Sequence, residues 1–244
     1  MSTLSFEQKV ELTEYFSQFI SESRRNTIEK VLAKRTKLIT IVLEDIFQSH
    51  NGSAVIRTCE CMGLQEIHII ENKSKYELNT KVLKGANKWM NLVKYNTVGE
   101  NNTALCFQRL REQGYKIIAT DPSEEGVAID DVPVDQKLAI LLGNELSGTS
   151  KYALANADIK VRIPMFGFTE SLNISVSAAI CLNTVMSKAR NSSSPPIGLS
   201  ETETTQIRYE WYRKAIRKPD IVEKDFLMNQ SRGLPQSFIK PSSC

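Results

Sequence analysis

Six short runs of branched apolar residues recur through the middle of this 244-residue chain. The first run, KLITIVLE at residues 37–44, has the composition of a strand that is buried on both faces of a sheet. The other runs are QEIHII, MNLVKYNTV, YKIIATD, KLAILLG and IKVRIPM. Stretches with helical periodicity, such as GSAVIRTCECMG, separate most of them. This alternation predicts an α/β domain over residues 37–190, with a mostly parallel sheet flanked by helices.

Helical segments are predicted on both sides of that domain. Ser5 and Gln8 have capping-box spacing at the start of one helix, and RRNTIEKVLAKR predicts a second. After the domain, NSSSPPIGLS has the composition of a linker, and a helical pattern containing RYEWYRKAIRK precedes a polar tail. We therefore expect a helical extension at residues 1–36 and a linker, helix and tail at residues 191–244.

The overall composition bounds the function only loosely. A net charge of +3 permits a polyanionic partner without requiring one. The five cysteines are scattered and odd in number, which fits reduced thiols in the cytoplasm better than a disulfide framework. No apolar run is long enough to span a membrane. We expect no metal site, because the two histidines lie far apart and Cys59 and Cys61 would face different sides of a helix.

The loop after the first strand carries two candidate residues. Ligand sites in such folds lie at the carboxyl ends of the strands, so these loops are the places to search. Asn51 fits an ordinary helix N-cap, and that interpretation is favoured for the residue alone. Arg57 lies in a helix that otherwise looks buried, where a guanidinium needs a carboxylate or a phosphate as partner.

Two later strands also end in candidate loops. Thr120 stands at the end of a strand, where an ordinary turn is expected. The alternative is that its backbone contacts the ribose or base of a ligand. The loop LGNELSG has glycines at the spacing of a phosphate-binding loop, but Thr149 stands where the lysine should follow. Glu145 would also place a negative charge inside that loop. Both features argue against a nucleoside triphosphate as ligand.

The third loop, PMFGFTESLNIS, leads into a helix rich in small residues. Either Ser171 or Asn173 would cap that helix, while the small residues indicate that another part of the backbone approaches closely. No G-x-S-x-G elbow surrounds Ser171, so a hydrolase triad has no support.

Taken together, HNGSAVIRTCECMG, LLGNELSG and IPMFGFTESLNISVSAA resemble the three motifs of the SpoU/TrmH family of RNA ribose 2′-O-methyltransferases, in the SPOUT superfamily. The resemblance covers residues 24–190 and keeps the order and spacing of the family. It implies an S-adenosylmethionine-dependent enzyme, a homodimer, and an α/β core whose C-terminal part is tied in a deep trefoil knot.

The resemblance also assigns roles to individual residues. Arg57 matches the catalytic arginine and Asn51 the asparagine that supports it, while Glu145, Ser171 and Asn173 match the polar residues of the second and third motifs. In such proteins backbone groups hold most of the cofactor. The matching positions here are Thr120, Leu142, Gly143, Ile163 and Leu172. One departure is Gly52, since other members often have a bulkier residue after the asparagine.

The arrangement of helical extensions around the core is similar to that of the tRNA enzymes that methylate guanosine 18 in the D-loop. The basic residues expected to contact phosphates are Arg24, Arg25, Lys34, Arg35 and Lys88. For each of them, a solvated charged face is the alternative. Methylation of rRNA or of another tRNA position is also open. A further alternative is an RNA-binding protein of this family that has lost catalysis, but the intact Arg57, Glu145 and Asn173 argue against it.

Overall fold

The sheet of this protein has seven strands, and all of its neighbouring strands run parallel. The computed structural model describes residues 4–123 and 126–231. The strands are β1 Ile39–Glu44, β2 Glu66–Ile70, β3 Asn91–Tyr95, β4 Tyr115–Thr120, β5 Val127–Ala128, β6 Lys137–Leu142 and β7 Ile159–Arg162. Their spatial order is β3-β2-β1-β6-β4-β7-β5. The prediction of a mostly parallel sheet is confirmed, and β5 is an additional short strand.

Nine α-helices lie within the described residues, and they belong to two compact units. The sheet unit, residues 35–198, contains α3 Ser49–Met62, α4 Thr80–Leu83, α5 Asn102–Glu112, α6 Lys151–Asn156 and α7 Ile174–Asn191. The terminal unit, residues 4–34 with 199–231, contains α1 Phe6–Ser17, α2 Glu22–Leu32, α8 Glu201–Ala215 and α9 Pro219–Ser231. None of the helices described is long and apolar enough to cross a membrane.

Helices cover both faces of the sheet, as the continuous apolar strands predicted. Every residue of β1 is buried. Ile41 and Leu43 belong to the apolar cluster that includes Leu182 of α7, whereas Val42 belongs to the opposite cluster with Phe107 of α5. Successive side chains of one strand thus enter two separate cores, which explains why β1 lacks polar alternation.

The terminal unit brings together residues 4–34 and residues 199–231. The capping box predicted at Ser5 is present, because its hydroxyl accepts the backbone N–H of Gln8. Helix α1 packs on α8, where Phe16 stacks with Tyr209 at a centroid distance of 5.9 Å. Between α2 and α8, the guanidinium of Arg208 forms a bidentate pair with the carboxylate of Glu29, with Nε–Oε1 and Nη2–Oε2 distances of 2.9 Å. The predicted polar tail lies outside the described residues from residue 232 onward.

The prediction that Cys59 and Cys61 face different sides of a helix is confirmed. Cys59 is buried and Cys61 is exposed, so the two thiols face different sides of the helix. Burial raises the pKa of the Cys59 thiol, which keeps it protonated and unreactive at neutral pH.

Arg35 is a structural residue and not an exposed phosphate contact, so that expectation was wrong. The whole residue is 2% exposed. Nη1 donates to the carbonyl of Leu64 at 2.8 Å, and Nη2 donates to the Glu60 carboxylate at 2.6 Å. Burial lowers the pKa of the guanidinium, while the Glu60 carboxylate opposes that shift. Arg35 therefore fastens the segment before β1 to the end of α3.

Replacing Arg35 by glutamine should lower the free energy of unfolding by about 2–4 kcal/mol, because the Glu60 carboxylate and the Leu64 carbonyl lose a buried charged donor. Urea unfolding followed by circular dichroism measures this change. Lys34→Gln is the matched control, since Lys34 is exposed, and it should shift stability by less than about 0.5 kcal/mol. Equal unfolding midpoints for the two variants would contradict the structural role.

Candidate active site

Three loops meet at the carboxyl edge of the sheet, where β1 and β6 are neighbours. They connect β1 to α3, β6 to α6, and β7 to α7. Glu145, from the second loop, joins it to the first. Its carboxylate accepts the backbone N–H of Phe47 at 2.9 Å, the backbone N–H of Gln48 at 3.2 Å, and the amide of Asn51 at 3.0 Å. The carboxylate thus satisfies donors beside the N-terminus of α3, where negative charge is favourable.

Asn51 is not the N-cap of α3, so the favoured interpretation of this residue was wrong. The cap position is Gln48, and the helix begins at Ser49. Asn51 lies in the first turn with 5% of its surface exposed. Its Nδ2 donates to Glu145 and to the Gln48 side chain, both at 3.0 Å, while its Oδ1 accepts from Asn173 at 3.2 Å. The residue therefore connects all three loops.

Asn173 caps α7, and it was one of the two residues, with Ser171, that were expected to do so. Its Oδ1 accepts the backbone N–H of Ser175 at 2.9 Å, which satisfies a donor at the helix start. Its Nδ2 reaches Asn51 at the same time. One chain of hydrogen bonds thus joins three residues that are far apart in sequence, Glu145, Asn51 and Asn173. We call these three residues the inter-loop cluster.

Arg57 and Ser171 lie outside the inter-loop cluster. Arg57 is exposed, so the expectation that its guanidinium lies buried was wrong. It lies six residues beyond Asn51, which places it about 9 Å along the helix axis and about 120° around it. Across residues 4–123 and 126–231, the guanidinium has no hydrogen-bond or ion-pair partner. Arg57 is consequently available to an anionic ligand, and Ser171 is also exposed.

Gly143 allows the second loop to fold tightly on itself. The loop closes through two backbone hydrogen bonds between Asn144 and Gly148, at 3.0 and 2.9 Å. A Cβ at Gly143 would lie 2.2 Å from the Thr149 nitrogen, which no side chain can tolerate. Glycine is therefore required here for the close approach of two backbone segments.

Thr120 joins the end of β4 to the same loop. Its hydroxyl donates to the Leu141 carbonyl at 3.0 Å, and its own carbonyl accepts the Thr149 hydroxyl at 2.7 Å. Leu142 is buried at the end of β6, and Ile163 packs against the core just after β7. Leu172 is 39% exposed beside Asn173. Of the five positions expected around a cofactor, Thr120 is thus hydrogen-bonded to Leu141 and Thr149, which lie on either side of Leu142 and Gly143 in sequence.

Glu44 and Asp45 support the site but were not singled out in the sequence. Glu44 is 1% exposed, and its carboxylate accepts the Thr103 hydroxyl at 2.6 Å and the Ser150 hydroxyl at 2.8 Å. The Asp45 carbonyl accepts the amide of Asn144 at 2.6 Å. An acidic residue at the end of a strand that is otherwise mostly apolar was the available signal, because a buried carboxylate requires donors.

Gly52 lies where a side chain would clash with Tyr76. A Cβ at this position would lie 2.5 Å from Cε2 of the Tyr76 ring. The Tyr76 hydroxyl lies 2.7 Å from that of Ser53, which also accepts the backbone N–H of Asn79 at 2.9 Å. The glycine thus makes room for a tyrosine that fixes the connection between β2 and β3 against α3.

Three comparisons with known proteins agree with this arrangement. The model of the SpoU rRNA methylase family matches residues 38–183. The chain is 41% identical over 207 residues to a tRNA (guanosine(18)-2′-O)-methyltransferase of Borreliella burgdorferi, which covers 85% of this chain and 92% of that protein. It is 34% identical over 167 residues to the 23S rRNA (guanosine-2′-O-)-methyltransferase RlmB of Neisseria meningitidis, covering 68% and 65%. The crystal structure of the A. aeolicus TrmH/SpoU tRNA modifying enzyme gives a TM-score of 0.70 at 29% identity and covers 81% of this chain and 98% of that one.

Proposed function

Because the chain belongs to the SpoU rRNA methylase family, we propose that it methylates the ribose 2′-hydroxyl of guanosine 18 in the D-loop of tRNA, using S-adenosylmethionine. The substrate is inferred from the 41% identity, which extends over 92% of a guanosine 18 enzyme. The match to the rRNA enzyme covers only 65% of that protein, which makes rRNA the second candidate.

The second and third loops fit the cofactor. The absence of a side chain at Gly143 leaves the backbone groups of a tight loop close together, and Ile163 and Leu172 add apolar surface of the kind that an adenine ring packs against. Thr120, Leu142, Gly143, Ile163 and Leu172 would hold it. The cofactor supplies an electrophilic methyl group, and the protein supplies geometry and help with the proton.

Arg57 binds the phosphate next to the target ribose and orients the 2′-hydroxyl for in-line attack. A guanidinium does not normally release its proton in a protein, so Arg57 is unsuited to act as the base, and the phosphate or solvent accepts the proton. The lack of a partner for Arg57 among the described residues supports this role.

The inter-loop cluster positions the loops around the reacting groups. The Glu145 carboxylate already accepts three N–H donors, which favours a positioning role over proton abstraction. Asn51 and Asn173 extend that connection to the cap of α7. Ser171 adds an exposed hydroxyl to the third loop, and we assign it to the wall of the ribose pocket.

The proposal includes a homodimer and a deep trefoil knot in the sheet unit, both implied by the family. Four large apolar side chains at or near the carboxyl edge support the dimer because they are strongly exposed: Phe47, Leu146, Phe166 and Phe168. A second copy of the chain would cover them, and light scattering should then give twice the 27.5 kDa of one chain. We place the enzyme in the cytoplasm, where free thiols such as those of Cys59 and Cys181 stay reduced.

Incubation of the purified protein with S-adenosylmethionine and an unmodified tRNA transcript should give a 2′-O-methyl group at guanosine 18. Primer extension at limiting nucleotide, or mass spectrometry of nuclease fragments, locates that group. A transcript with 2′-deoxyguanosine at position 18 is the matched control and should accept none. Methylation of 23S rRNA in place of tRNA would support the second candidate and overturn the first.

A further inference from the structure

The connection between β2 and β3 concentrates the positive charge of the chain. Residues 71–90 contain five lysines and two glutamates, a net charge of +3, which equals the net charge of the whole chain. The remainder of the chain therefore has a net charge of zero. Such a concentration of positive charge in a short segment is typical of a surface that binds a polyanion.

Four of these lysines, Lys73, Lys75, Lys81 and Lys84, form what we call the lysine stripe. All four side chains are exposed. Throughout the described part of the chain, no hydrogen bond or ion pair engages their amines. Their charge is thus not used in holding the fold together.

The backbone that carries the lysine stripe is firmly anchored. The Asp45 carboxylate accepts the backbone N–H groups of Asn72 and Lys73, both at 2.7 Å. Tyr76 and Leu83 are buried, with 2% and 1% of their surfaces exposed. A ligand that binds these lysines therefore orders long side chains but not the chain beneath them, which lowers the entropic cost of binding.

The lysine stripe begins beside the proposed active site and leads away from it. At its start, Asp45 also binds Asn144 of the second loop through its carbonyl. At the end of the connection, the Trp89 carbonyl accepts from Gln65, at the opposite edge of the sheet just before β2. The connection thus runs the length of β2, about 17 Å for five residues.

We propose that the lysine stripe binds the sugar-phosphate backbone of the substrate RNA beyond the methylated nucleotide. The proposal rests on the proposed function for the identity of the polyanion. Lysine amines bind phosphates as point charges, so the stripe contributes affinity and register on the RNA without reading its bases.

A pair of matched double variants tests the stripe. Lys81→Gln with Lys84→Gln removes two charges from it, and Lys218→Gln with Lys224→Gln removes two exposed charges from the terminal unit. At low salt, the first variant should bind an unmodified tRNA transcript about tenfold more weakly, and the log–log salt slope should flatten by about 1–2. The control pair should change the affinity less than about twofold, and S-adenosylmethionine should bind all three proteins equally.

Each outcome separates the stripe from the proposed reaction. If both variants bind tRNA with equal affinity and salt slope while the wild type methylates tRNA, RNA binding by the lysine stripe is overturned and the proposed reaction stands. If the stripe variant binds tRNA more weakly but the wild type transfers no methyl group, the proposed reaction is overturned and RNA binding by the stripe stands. A wild type that does not bind tRNA would overturn both. Thermal melting of both variants identifies any loss of binding that arises from unfolding.

Discussion

Replacement of Arg57 by lysine should reduce single-turnover methyl transfer to tRNA by at least about a hundredfold, or ~2.7 kcal/mol of activation free energy. Lysine keeps the charge and most of the aliphatic stem, but it loses the planar fork that can hold a phosphate and a hydroxyl together. The loss should fall on the chemical step, because orientation for in-line attack matters most in the transition state. Rapid-quench measurement at saturating tRNA and S-adenosylmethionine isolates that step.

Two further measurements distinguish orientation by Arg57 from a structural role. Arg57 is exposed and has no partner among the described residues, so the lysine variant should melt at the wild-type temperature and bind S-adenosylmethionine with unchanged affinity. Arg217→Lys is the matched control, since Arg217 is also exposed but lies in the terminal unit. Near-normal methyl transfer by the Arg57 variant would exclude this residue from catalysis.

Replacement of Gly143 by alanine should weaken S-adenosylmethionine binding at least about tenfold and lower the free energy of unfolding by about 3 kcal/mol. The new Cβ would lie 2.2 Å from the Thr149 nitrogen and 2.4 Å from the Gly148 carbonyl carbon. Both are backbone atoms, so the loop itself must move. That movement would disturb the hydrogen bond from Thr149 to Thr120 as well. Calorimetric titration and urea unfolding measure the two effects.

Gly198→Ala is the control for this change, because nothing lies within 4 Å of a Cβ at Gly198 and this residue lies outside the three loops. We expect wild-type cofactor affinity and nearly unchanged stability from that variant. If Gly143→Ala also bound the cofactor normally, the loop would not form part of the cofactor site.

Local sequence patterns predicted the parts of the fold that depend on near neighbours. The run KLITIVLE predicted a strand with two buried faces, and the spacing of Ser5 and Gln8 predicted a capped helix; both are confirmed. Contacts between distant residues were not accessible in the same way. Arg35 looked like part of a basic surface because its partner Glu60 lies 25 residues later. Nothing in the local pattern indicates that pairing.

The candidate site shows the same limit. The order of the three motifs placed Asn51, Glu145 and Asn173 on neighbouring loops, but Asn51 taken alone was expected as a helix cap. It instead donates to Glu145, 94 residues later, and accepts from Asn173, 122 residues later. For Arg57, the apolar neighbours Val55 and Ile56 suggested burial. Helical geometry places adjacent residues about 100° apart, so a buried pair and an exposed arginine can follow one another directly.

The pairing of residues 4–34 with residues 199–231 in the terminal unit has a consequence for synthesis on the ribosome. Helices α1 and α2 are translated before the sheet unit, yet α8, which supplies Tyr209 and Arg208 to them, follows it. At about 5–20 residues per second, roughly 10–30 seconds pass before those partners are made. Throughout that interval the nascent protein exposes Leu12 and Phe16, which are fully buried at the end. Helices α1 and α2 therefore complete their packing only after the sheet unit has been translated, and until then their apolar faces are open to a chaperone.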